Sequence, residues 1–201
     1  SQPSRALYDE LIAQEGIECN YQKRGALLLY KTDHGFKEGL GEAQLIQEHG
    51  LPTKLMTGPE VHEMEPQVRS DIAGGIYHQD DAHLNPAEFV RGLASRVRER
   101  GGTIREGAEV LGLETSGNRI VAVNTAKGAY RPEQVVLAAG SWSPGLTSDL
   151  RLKLPVQPAK GYSATFKRGP KSPSVPLLLA EDKVGLNPMG PVMRLAGTLE
   201  F

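Results

Sequence analysis

The chain has 201 residues, with 23 Lys plus Arg against 24 Asp plus Glu, a formal net charge of −1. So balanced a charge argues against a generic polyanion binder, and no nucleic-acid partner is expected. No apolar run approaches the ~20 residues that span a bilayer, and a chain of this length buries enough surface to fold without disulfide or metal staples.

Cys19, the single cysteine, has no Cys or His near it at a zinc-like spacing, which points to a reducing compartment and to no structural metal. The first ten residues are polar and amphipathic rather than signal-like. The sequence begins without methionine and stops at Leu199-Glu200-Phe201, within what reads as a strand. The expectation is the central piece of a longer protein.

In chain order, Leu7, Leu11 and Ile12 share one face of a helix over Arg5 to Glu15, with Ser4 as N-cap and Gly16 as stop. Cys19 to Lys23 and Ala26 to Tyr30 read as two paired strands or one bent strand. Phe36, Leu40 and Ala43 mark a second helix ending at His49-Gly50, and Gly58-Pro59-Glu60 opens a short third one. Gly75-Ile76-Tyr77 is a strand candidate. After a polar loop, Asn85-Pro86-Ala87-Glu88 opens a fourth helix whose buried stripe is Phe89, Val90, Leu93, Ala94 and Val97. With Thr103 to Arg105 as the next strand, this reads as strand, helix, strand with parallel pairing.

Three short strands follow at Glu109 to Glu114, Arg119 to Thr125 and Ala129 to Arg131, a β-meander. Val135 to Ala139 is an uninterrupted apolar run of the kind that forms a strand covered on both faces, and it ends in Gly140-Ser141-Trp142. From Pro155 onward, segments at Pro158 to Phe166, Val175 to Ala180, Gly185 to Leu186 and Val192 to Phe201 read as an antiparallel sheet.

Small residues at the end of a buried strand let a ligand approach the backbone, so Ala138-Ala139-Gly140 is a candidate nucleotide site. His78, Asp80, Asp81 and His83 crowd six positions, but a polar loop before a helix is naturally rich in such residues and no metal site is inferred. Trp142 could stack on a ligand or be buried behind the preceding strand. Tyr162 and Arg194 could each serve a site or be ordinary strand residues.

The segments Asp81 to Pro86, Gly107 to Val110, Val135 to Ser143 and Pro158 to Ser163, together with Arg194 to Glu200, resemble the flavin-dependent amino-acid oxidoreductases of the D-amino-acid oxidase superfamily. The Pro158 to Ser163 segment resembles the D-amino-acid dehydrogenase branch. The resemblance implies an α+β chain: part of an FAD-binding α/β domain of the glutathione-reductase-like type carrying the β-meander, plus an antiparallel substrate-binding sheet flanked by helices. It implies a first part of the substrate domain over residues 1–74, part of the FAD domain over 75–150, and the substrate sheet over 151–201.

It also implies FAD near His83, Val110, Ala138, Ala139, Gly140 and Trp142, and substrate near Lys160, Gly161, Tyr162 and Arg194. The implied reaction is oxidative deamination of a D-amino acid or related amine, with oxygen or a quinone chain as electron acceptor. The implied location is the cytoplasm or the periphery of the inner membrane. The alternatives are a glycine, sarcosine or hydroxy-acid oxidase, and a non-catalytic binding or assembly domain on the same scaffold.

Two departures stand out. Where the glycine-oxidase branch has an arginine after a proline near Asn187-Pro188, this sequence has Met189, so Arg194 or a group beyond Phe201 would hold a substrate carboxylate. The GxGxxG fingerprint that places a dinucleotide pyrophosphate at a helix N-terminus is absent. The chain by itself is therefore expected to bind FAD weakly or not at all.

Overall fold

In a computed structural model, which describes residues 2–200, the apolar run Ala26–Tyr30 becomes β1, the third strand of a seven-stranded sheet. The order across the sheet is β2 (Thr53–Thr57), β3 (Gly74–His78), β1, β8 (Leu177–Leu179), β9 (Val184–Met189), β10 (Val192–Glu200) and β7 (Lys160–Lys167). Leu28 of β1 faces Ile76 of antiparallel β3 and Leu178 of parallel β8. The pairs β2–β3, β1–β3, β8–β9 and β9–β10 are antiparallel and β1–β8 is parallel, so the sheet is mixed.

Directly opposed residues share a face of a sheet. Leu27, Leu29, Met56 and Leu177 lie on one face and, with Val61 and Val175, form a buried cluster under α3 (Gly58–Met64) and the chain that follows it. On the other face, Tyr30 and Ile76 pack with Phe36 and Ala43 of α2 (Asp33–Glu48). That helix covers the β1–β3 end only. Farther across, the same face carries Leu178, Gly185, Asn187, Arg194 and Ala196, none of them buried.

Local chemistry fixes the helix starts. Thr57 and Glu60 form a capping box at α3, with Pro59 in its first turn. The Asn85 side chain accepts from the amides of Ala87 and Glu88 at the start of α4 (Pro86–Glu99), as its sequence signature predicts. α1 (Gln2–Glu15) begins ahead of Ser4, which therefore lies inside the first turn instead of capping it. α1 and α4 share a small core of Ile17, Cys19 and Phe89 with Leu11, Ile12, Tyr21, Leu84 and Leu93. Between Cys19 and Lys23 only a bridge forms, Gln22 to His83.

The chain divides into two compact units, the larger built from the first 100 residues and Gly161–Leu199, the smaller chiefly from Gly101–Lys160. The smaller holds the expected meander of β4 (Val110–Ser116), β5 (Arg119–Thr125) and β6 (Gly128–Tyr130). α5 (Ser143–Thr147) packs on β4, and the Asp149 carboxylate accepts the Leu113 amide at 2.9 Å.

Two expected strands are absent. Thr103 to Arg105 is exposed and unassigned, and β3 has both edges taken by β1 and β2, so the strand, helix, strand unit with parallel pairing does not form. Arg105 instead stacks its guanidinium 5.0 Å from the Tyr130 ring. Val135 to Ala139 likewise lies outside any strand, with Val136 90% exposed. Apolar character alone does not make a strand: backbone partners are required, and among the described residues none runs beside this segment.

Candidate functional site

Arg194 sits in mid-β10 directly across from Asn187 of β9. Its Nε donates to Thr165 Oγ1 on β7 at 3.3 Å, and among the described residues no carboxylate pairs with it. A guanidinium is always charged, and with Nε occupied its two terminal nitrogens still present a planar fork matched to a carboxylate. The half-buried Arg194 therefore offers an anion-receiving group on the open face of the sheet.

The other expected substrate residues lie on β7, the strand at that edge of the sheet. The Lys160 ammonium is 3.7 Å from the Glu200 carboxylate, so it is not a second unclaimed cation. A Cβ on Gly161 would meet the Leu199 side chain at 3.3 Å. Tyr162 is 44% exposed, which leaves its ring reachable. Met189, where the glycine-oxidase branch carries arginine, is buried at the end of β9, beside the hairpin turn at Gly190 and Pro191. Met189 itself supplies no cation there.

His83 is held by its backbone, which exchanges hydrogen bonds of 2.8 and 2.9 Å with Gln22. Both ring nitrogens are buried without a hydrogen-bond partner. Burial first, then the charges of Arg24 and Arg168, push its pKa down, so the ring is neutral at ordinary pH. Beside it opens a cleft of ≈ 340 Å³ lined by Arg5, Tyr8, Tyr21, Asp80 and Leu84 among others. Burial and the neighbouring Asp9 carboxylate raise the Tyr21 hydroxyl to about 12. Asp80 is engaged by Arg5 through its carbonyl and its carboxylate.

The remaining expected cofactor residues belong to the smaller unit. Val110 opens β4 opposite Thr125 and is 37% exposed. Ala139 accepts the Trp142 amide at 3.1 Å, closing a one-turn 3-10 helix over Gly140–Trp142. Gly140 has φ +54, and a Cβ there would meet nothing within 4 Å. Trp142 is 78% exposed, so the buried placement open to it in the sequence is not the one adopted. The expected residues thus fall into an Arg194 group on the sheet, His83 in its own loop, and the Val110 and Ala138–Trp142 group in the smaller unit. Thr165, Asn187 and Gly185 had no marker in the sequence beyond sharing strand parity with, or facing, Arg194.

The FAD dependent oxidoreductase family model (DAO) matches residues 1–196. A D-amino acid dehydrogenase of Paramagnetospirillum magneticum is 36% identical over 203 residues, covering 98% of this chain and 48% of that protein. D-amino acid dehydrogenase 2 of Mesorhizobium japonicum is 31% identical over 204 residues, with 98% and 49% covered. The crystal structure of glycine oxidase from Bacillus cereus superposes with a TM-score of 0.89 at 25% identity, over 99% of this chain and 56% of that one. L-proline dehydrogenase from P. horikoshii, at 22% identity and a TM-score of 0.83, shares the fold. The chain spans about half the length of the curated relatives it matches. With nearly all of its residues matched by that one family model, the chain belongs to the FAD dependent oxidoreductase (DAO) family.

Proposed function

We propose that the chain serves FAD-dependent oxidative deamination of an amino acid, most like the reaction named for its D-amino acid dehydrogenase relatives. The observation that carries this reading is Arg194, a half-buried guanidinium with no carboxylate partner among the described residues, on the open face of the sheet. Met189 itself supplies no cation, and in this reading Arg194 takes the carboxylate. Thr165 fixes the direction of its fork, and Gly161, of the same strand parity as Thr165, lies farther along that face of β7.

The residues present fit a dinucleotide. Gly140 is open on its side-chain side, the 135–139 backbone has no neighbouring strand among the described residues, and Trp142 and Val110 present apolar surface. These residues of the smaller unit would hold FAD. Bound flavin supplies the hydride acceptor. The chain's own part is to bind and orient the amino acid by its carboxylate and to shape the space beside it. Because the fingerprint helix is missing from this sequence, the 201 residues alone bind FAD weakly.

The electron acceptor in this reading is oxygen or a quinone chain. Among the described residues no helix is long and apolar enough to cross a membrane, and peripheral association with the inner membrane is part of the proposal.

An anaerobic visible spectrum of the full-length gene product tests the reading, before and after addition of glycine, sarcosine and a panel of D- and L-amino acids. Bleaching of the yellow colour by D-amino acids is the expected result. Bleaching by glycine or sarcosine alone moves the assignment to the oxidase alternative. A protein that stays colourless after FAD is supplied overturns it in favour of a binding or assembly role.

A further inference from the structure

We propose that Gly185 is the residue that sets which substrate side chains are admitted beside Arg194, and that the class admitted is aliphatic; this rests on the amino-acid oxidoreductase reading above. Gly185 lies inside β9, where a glycine weakens the strand and needs a reason. Backbone conformation does not supply one, since Gly185 is not among the residues with positive φ. Packing does not supply one either. A Cβ at Gly185 would meet Asn187 Nδ2 at 3.4 Å, the Ala196 carbonyl at 3.8 Å and the Leu177 carbonyl at 4.0 Å, all ordinary contacts. Gly75 and Gly197 are different, because a Cβ there would press within 3.0 Å of the Val61 and Val184 side chains.

What the missing side chain does is clear the face that carries Arg194. Gly185 is the direct cross-strand partner of Ala196, and Asn187 and Arg194 form the next pair on that face. Leu178 stands opposite Gly185 on the other flank, on β8. The result is a floor of two small residues and an apolar wall at Leu178, one pair-step along the strands from the Asn187–Arg194 pair. Alternate residues of a strand are ~6.7 Å apart. A substrate side chain directed along the strands from Arg194 reaches that pair within this one step. No charged side chain stands in this row, so an aliphatic chain fits it and an ionised one does not.

The test uses the full-length gene product, its Gly185→Val and Ala196→Val variants, and glycine, D-alanine, D-norvaline and D-lysine as substrates, with the L-enantiomers alongside. The readout is the ratio of kcat/KM for norvaline to that for glycine, with flavin content and circular dichroism confirming fold. Each variant is expected to lower that ratio about tenfold or more, the discrimination a contact of one or two methylenes carries. Wild-type enzyme is expected to prefer norvaline to lysine. Should Gly185→Val fail to fold, Ala196→Val reads the same seat from the facing strand. A ratio within twofold of wild type in a folded variant overturns the inference, as does an equal loss for every amino acid. A wild-type flavoprotein that no amino acid reduces overturns the functional reading, and this inference with it, whereas a responsive enzyme with an unmoved ratio overturns Gly185 alone.

Discussion

The Glu65 carboxylate, 2% exposed, accepts the Ser174 amide at 2.9 Å, the Ser174 hydroxyl, and the Val175 amide at 3.1 Å, fastening two points 109 residues apart in the chain. It ends α3 and at the same time fixes the approach to β8, next to the buried Val175 and Leu177. A buried acceptor that satisfies two backbone donors is costly to remove, because the donors are left dry. Glu65→Ala is expected to destabilise the protein by about 3 kcal/mol. Glu65→Gln keeps one oxygen but turns an amide NH2 group toward the donors, and is expected to lose about half as much. Denaturant midpoints of the variants against wild type check this, and a Gln variant as stable as the parent would show that the carboxylate is not needed.

His83 gives a pH-dependent expectation. Burial, with Arg24 and Arg168 adding to it, holds its pKa below the ordinary 6.5. As pH falls through about 6.5 the unfolded chain takes up a proton that the folded one refuses, so stability declines on the acid side and is unaffected well above it. His83→Leu removes this slope, which is at most about 1.4 kcal/mol per pH unit. Thermal midpoints are expected to show the variant gaining on wild type at pH 5 relative to pH 8. Parallel curves for the two proteins would mean that the ring titrates normally.

Arg194 and Thr165 are separable by kinetics. Arg194→Ala removes the fork, and loss of a charged hydrogen-bonded partner typically costs about 2–5 kcal/mol, which is about thirtyfold or more in kcat/KM. Arg194→Lys is expected to recover only part of that, since an ammonium cannot bind a carboxylate in bidentate fashion. Thr165→Val leaves the guanidinium in place with its Nε unheld, and is expected to raise KM several-fold with little change in kcat. If Arg194→Ala turns over amino acids as wild type does, the carboxylate is bound elsewhere.

Trp142, the single tryptophan, is a built-in reporter of the cofactor proposal. At 78% exposure, its emission in the 201-residue chain is expected to be quenched freely by acrylamide. Titration of that chain with FAD is expected to show only weak, non-saturating quenching. In the full-length product, FAD is expected to shield Trp142 from acrylamide, read as the difference between the parent and a Trp142→Phe variant. Tight saturable quenching of the 201-residue chain would contradict weak binding.

Elements whose partners are near in sequence were legible beforehand. The Asn85 cap, the Gly58-Pro59-Glu60 helix start and the three-strand meander rest on residues within a few positions of one another, and all three are present. Val135 to Ala139 was misread because an apolar run records what a segment would accept on its faces, not whether a strand lies beside it. The parallel β1–β8 pair, the Glu65–Ser174 link and the Thr165–Arg194 bond join distant segments, and no local pattern announces them. For the site, the family resemblance pointed to Arg194. Its lack of a carboxylate partner among the described residues and the small-residue pair Gly185–Ala196 beside it emerged only from the cross-strand pairing.

That parallel pair imposes an order of events on a growing chain. Lys31 and Glu181, at the ends of the paired strands, are 150 residues apart, and the Gly101–Lys160 body of the smaller unit is translated between them. At about 5–20 residues per second, β1 waits on the order of ten seconds with one edge bare. During that wait the apolar strand Ala26–Tyr30 is a template for any extended segment that passes. Nascent protein is thus most exposed to mispairing before Leu177 leaves the ribosome, and chaperone demand should concentrate in that interval.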